Sequence, residues 1–150
     1  GVQTCALPIY LAARGQASYS DAFFLTVVHE FGHALGLQHS MTGGAMATSI
    51  IRGNSKSIPL AADDRAGLSV LYPTAQFKAS TGVIAGTVNV ARNGANLASV
   101  VALATDGTAI GAMTLPDGTY RIEGLPPGDY LVYTHPLPPA QPGEIGRAHV

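Results

Sequence analysis

The chain has 150 residues, a formal net charge of −1, 11% charged and 47% hydrophobic residues, and a mean hydropathy of +0.24. So apolar a chain is not disordered, and its near-zero charge without a basic stripe argues against nucleic acid as the main partner. No run approaches the ~18 apolar residues of a membrane span, and a single cysteine excludes an internal disulfide.

Residues 1–9 (GVQTCALPI) and 144–150 (EIGRAHV) show no periodicity, no apolar leader core and no capping pattern. One nucleotide sequence and its reverse complement can encode the two, and the pair resembles translated sequencing-library adapter. Both ends are therefore expected to be adapter-derived, flanking a fragment of a longer gene. Cys5 and His149 then carry no function.

Residues 10–18 are too short to assign. From Asp21 to Leu35 the apolar residues Phe24, Val27, Val28, Phe31 and Leu35 recur at helical spacing. Ser20 is the expected N-cap, Asp21 suits the positive helix end, and Gly36 is the expected terminator. Residues 40–59 read as loop. A second helix is expected from Ala61 to Leu71, with Asp63 and Asp64 capping its first turn and Pro73 closing it. Residues 74–81 (TAQFKAST) read as a linker.

After Gly82 the period changes to two. VIAGTVNV, ASVVALA, TAIGAMTL, GTYRIEG and GDYLVYT are β-rich runs separated by Asp-Gly and Pro-Gly turns. Tyr120 and Ile122 should face one side, Arg121 and Glu123 the other, with Tyr130 and Val132 repeating the alternation. The expectation for 82–143 is a small antiparallel β-sandwich of six strands. The prolines from Pro136 onward suggest that a last strand is lost. The fold class is α+β.

The chemistry sits in His29-Glu30-Phe31-Gly32-His33-Ala34-Leu35-Gly36-Leu37-Gln38-His39. Two histidines four apart on a helix differ by about 40° in azimuth and ~6 Å in rise, so both rings reach one ion. Glu30 stands beside them and can address a water at the metal without being a ligand. Gly36 can take a positive φ and return the chain so that His39 supplies a third nitrogen. Three imidazoles with one open position suit catalytic zinc rather than a closed structural site. A single histidine is more often an ordinary surface or core residue, but five fixed positions together are a specific signal.

HEFGHALGLQH has the metzincin pattern H-E-x-x-H-x-x-G-x-x-H, and Ser40 after the third histidine resembles the matrixin branch. The resemblance covers residues 20–73, the C-terminal half of such a catalytic domain, so 10–73 is read as that half. It implies His29, His33 and His39 as zinc ligands, Glu30 as general base and Met46 as the Met-turn residue, with Met41 a weaker rival. Thr48, two residues after Met46, argues against a tyrosine ligand. PLAADDRAGLSVLYP is similar to the last matrixin helix. LPDGTYRIEGLPPGDYLVYT resembles the carboxypeptidase regulatory-like, transthyretin-like sandwich, which implies a non-catalytic accessory module.

The leading expectation is a zinc endopeptidase that hydrolyses peptide bonds by a zinc-activated water with Glu30 as base. Its partner is a protein or peptide substrate, with no nucleic acid and no membrane span. The β-sandwich offers a surface for protein or carbohydrate and contributes nothing to bond cleavage. One zinc is expected. Asp106, Asp117 and Asp129 are turn residues first, and nothing among them indicates calcium. The resemblance implies a secreted, bacterial protein. The alternative is a secreted adhesion or scaffold protein with an inactive metzincin remnant and a binding sandwich. With only Tyr10 to Tyr19 before the active-site helix, the chain as given is expected to be inactive.

Overall fold

The computed structural model describes residues 19–47 and 52–136. The expectations for both termini, for Thr48 and for a strand beyond Pro136 lie outside the described residues. Among the described residues three helices precede seven antiparallel strands, so the fold is α+β.

Helix α1 spans Tyr19–Ala34. It already includes Ser20, which is therefore not the cap that the sequence suggested. Asp21 lies in the first turn and pairs with Lys56 Nζ at 3.1 Å. The helix ends at Gly36, whose φ of +97° lies in the left-handed region open to glycine. There Gly36 N–H donates to His33 O at 3.0 Å and Leu37 N–H to Gly32 O at 3.0 Å, a Schellman closure.

Burial on α1 inverts the usual pattern. The buried residues are His29 and Gly32, while Phe23 is 61% and Phe31 64% exposed. Val27 and Val28 are half-buried. The apolar stripe exists, but the helix packs through the face that carries its histidines.

Helix α2 spans Ala62–Leu71, and Asp64 accepts from Ala61 N–H at 2.7 Å as a cap. It packs on the Gly36 turn, where Tyr72 Oη donates to Leu35 O at 3.1 Å. Residues 74–81 are not a slack linker. Thr74 Oγ1 accepts from Phe77 N–H at 3.1 Å and starts helix α3, Ala75–Ser80. The Thr81 hydroxyl closes it by donating to Phe77 O at 2.7 Å.

The strands are β1 (Gly82–Thr87), β2 (Asn89–Val90), β3 (Asn93–Gly94), β4 (Ser99–Ala104), β5 (Ala109–Met113), β6 (Thr119–Leu125) and β7 (Tyr130–His135). They form a β1–β6 ladder, a β2–β3 ladder and a three-stranded sheet in the order β5–β4–β7. The count exceeds the expected six because VIAGTVNV breaks at Val88. There Val88 N–H donates to Gly118 O and Val88 O accepts from Ala95 N–H, so the chain leaves one ladder for another. Tyr120 and Ile122 face inward as the alternation predicts, whereas Leu131, Val132 and Tyr133 of β7 are all exposed.

One apolar core joins the two halves. Val100, Ala102, Ile110, Ile122 and Leu125 pack with Ala66 of α2. No helix among the described residues is long and apolar enough to cross a membrane.

Ile122 is 1% exposed at the centre of this core. Ile122→Ala should destabilise the chain by about 2–5 kcal/mol through lost burial and a residual cavity. Leu131→Ala, on the exposed strand, should cost under about 0.5 kcal/mol. Denaturant titration of both variants checks the contrast.

Candidate metal centre

His29 and His33 project from one face of α1, and the turn at Gly36 brings His39 back to meet them. The three rings lie with centroids 4.7, 5.1 and 4.8 Å apart. His39 Nε2 stands 3.2 Å from His33 Nε2 and 3.2 Å from His29 Nε2. A tetrahedral ion with metal–nitrogen bonds of about 2.0–2.1 Å separates its nitrogen ligands by about 3.3–3.4 Å. Two of the three edges therefore match that spacing, and the ligand atoms of the three histidines all lie within 4.8 Å of one another.

The proton positions follow from the other ring nitrogens. His29 Nδ1 lies 2.6 Å from Ala45 O, and His33 Nδ1 lies 2.9 Å from Leu37 O. A carbonyl only accepts, so each Nδ1 carries the proton and donates it. Both Nε2 atoms then present lone pairs. With His39 Nε2 also unprotonated, lone pairs face one another across both 3.2 Å gaps. A cation removes that repulsion. Such outer carbonyls orient histidine ligands generally.

Arg52 Nη2 also lies 2.8 Å from His29 Nδ1. A guanidinium only donates, so this contact and Nδ1–H are mutually exclusive. The Ala45 contact is the shorter, and Arg52 keeps Ala47 O through Nε at 3.2 Å and Nη2 at 3.1 Å. Burial holds the His29 pKa below the ordinary imidazole value, and the Arg52 charge and the other two histidines add to it. The ring is thereby kept neutral, as a ligand must be.

The loop beneath is tied down by backbone and carboxylate. Ser40 N–H donates to Met46 O at 3.0 Å, and Ser40 bridges Ala47 in parallel. Met46 is 2% exposed, whereas Met41 is half-buried. Met46 packs under α1 so closely that a Cβ on Gly32 would collide with its Sδ. Gly32, between His29 and His33 on α1, thus leaves the space that Met46 Sδ occupies. Asp64 accepts from Ala45 N–H at 2.7 Å and Met46 N–H at 2.9 Å as well as capping α2. Asp63 accepts from Thr42 Oγ1 at 2.6 Å and Gly111 N–H at 2.9 Å. Burial pushes the Asp63 carboxyl above the usual carboxylate range, and these donors offset only part of that rise.

Both aspartates read as caps from their place in the first turn of α2, and nothing in the spacing marks them as anchors of the loop. Nothing in the spacing marks Gly32 either. Glu30 follows His29 on α1 and is exposed, so its carboxylate is open to solvent. Asp106 and Asp117 accept from the N–H groups of Thr108 and Thr119 at 2.8 and 2.9 Å, as turn residues do. Among the described residues the three histidines are the one group of metal-ligand type.

Residues 11–73 match the sequence family described as Matrixin. A 72 kDa type IV collagenase from Gallus gallus is 43% identical over 51 residues, which is 34% of this chain and 8% of that protein. This chain thus spans a small part of the relative it matches. No solved structure matches it. The segment that carries the histidines is matrixin-like in sequence.

Two substitutions probe the loop. Asp64→Asn places an amide N–H against at least one of three backbone donors and should cost about 1–3 kcal/mol. Gly32→Ala forces Met46 aside in a closed site and should cost about 1–3 kcal/mol. Both should also weaken metal binding. Thermal unfolding and chelator competition measure the two effects, and wild-type values in both would refute the anchoring roles.

Proposed function

We propose that this chain carries the metal-holding part of a zinc endopeptidase of matrixin type. One observation carries the reading: three Nε2 atoms converge, and at least two are forced inward by backbone carbonyls on Nδ1. His29, His33 and His39 hold the zinc through those atoms. Bound zinc supplies Lewis acidity, which polarises a carbonyl and lowers the pKa of water. Glu30 takes a proton from the attacking water and passes it to the nitrogen of the departing amine. Met46 and Gly32 fix the floor of the site, and Gly36 sets the turn that delivers His39. The substrate is a protein or peptide, and the protein works outside the cell. The β-strand half is an accessory sandwich that offers a binding surface for protein or carbohydrate. It supplies none of the reacting groups.

Zinc binding should be stoichiometric in the chain and lost in His33→Ala. Glu30→Gln should keep the metal, because its carboxylate is not a ligand. Proteolysis of casein by a longer gene product that contains this segment should fall about 10²–10⁴-fold in Glu30→Gln, since the amide cannot accept a proton. Elemental analysis and chelator-sensitive cleavage read the two effects. Full zinc occupancy in His33→Ala, or near-normal turnover in Glu30→Gln, would refute the assignment.

A further inference from the structure

None of the reacting groups lies beyond residue 81, yet one contact joins the β half to the metal loop. His29 and His33 ride on α1, whereas His39 depends on the backbone that follows Gly36. That backbone is held one step further on. Ser40 Oγ lies 3.1 Å from Thr42 Oγ1, which donates to Asp63 Oδ2 at 2.6 Å. The other oxygen, Asp63 Oδ1, accepts from Gly111 N–H at 2.9 Å. Gly111 lies on β5, an edge of the β5–β4–β7 sheet, so this donor is aimed away from the ladder. A Cβ on Gly111 would meet Thr42 Cγ2 at 3.1 Å, so the loop also rests on the strand.

We propose that Asp63 is a positioning residue through which strand β5 holds the loop of the third metal ligand, so that the β half sets metal affinity. This rests on the zinc reading above. Asp63 is 8% exposed, and both of its oxygens are taken by groups from distant parts of the chain. Its neighbour Asp64 grips the far end of the same loop at Ala45 and Met46. Helix α2, which carries both, is set into the β core by Ala66. The loop therefore hangs between two carboxylates whose helix is fixed by the strands. Removing Asp63 leaves the Gly111 N–H and the Thr42 hydroxyl without their acceptor, and the loop gains freedom that metal binding must then remove. The β half is on this view an accessory that also supports the metal loop.

The test uses the whole chain and cobalt(II) as the probe, with affinity from chelator competition and geometry from the ligand-field spectrum. Asp63→Asn keeps an acceptor for Gly111 and a polar partner for Thr42, so it should stay within about threefold of wild type. Asp63→Ala should bind about tenfold more weakly or worse, with an altered spectrum. Thr42→Val cuts the loop-side link and should weaken binding several-fold. Gly111→Val keeps a residue suited to a strand but pushes Thr42 away, and should weaken binding from within the β half. Wild-type affinity and spectrum in Thr42→Val and Gly111→Val, both with native circular dichroism, would overturn the proposal whether or not Asp63→Ala folds. A wild-type chain that binds no cobalt would overturn the zinc reading and this inference together.

Discussion

Lone pairs on facing imidazoles repel, and the carbonyls of Ala45 and Leu37 leave His29 and His33 no other way to face. That constraint organises the helical half of the molecule. It requires an α1 that stops just past His33, which Gly36 provides. It requires a loop whose Ala45 carbonyl sits under His29, which Asp64 provides by gripping Ala45 and Met46 from below. It requires the loop to lie hard against α1, which is possible because Gly32 has no side chain. Each requirement is met by a residue other than the three histidines.

The parts of this arrangement that are local in sequence are legible there. The i, i+4 histidine pair, the glycine stop and the third histidine sit within eleven residues and follow from helix geometry alone. The period-two runs after Gly82 announce strands for the same reason. The resemblance of HEFGHALGLQH to the metzincin pattern named the ligand set, and the described geometry brings the same three histidines together.

What was not legible depends on contacts between distant residues. Asp63 and Asp64 satisfy a local rule, acids in the first turn of a helix, and that rule is sufficient to account for them. Their second partners are Thr42, Ala45, Met46 and Gly111, up to 48 residues away, and nothing in the spacing marks them. Gly32 reads as an ordinary variable position of the motif. Its role appears only when Met46 is seen beneath it. The segment 74–81 looked like a linker because a helix of six residues has no periodicity to show, although Thr74 was a cap in plain view.

The inverted burial of α1 follows from the same constraint. A helix that exposes Phe23, Phe24 and Phe31 gains little from the ordinary apolar driving force. What buries it instead is a polar face of histidines, hydrogen-bonded to carbonyls and aimed at one point. Such a face is costly to desolvate unless its charges and lone pairs are matched. An ion at the centre would match them, and because the unfolded chain holds no preformed site, its binding free energy would become folding free energy. On the proposed zinc reading, the attachment of α1 to the rest of the chain depends on the metal more than the β core does. Ile122 and its neighbours bury apolar surface whether or not an ion is bound. The two halves should accordingly differ in how they respond to a chelator: α1 and its loop loosen while the strands hold, and the carboxylates of α2 are where the one meets the other.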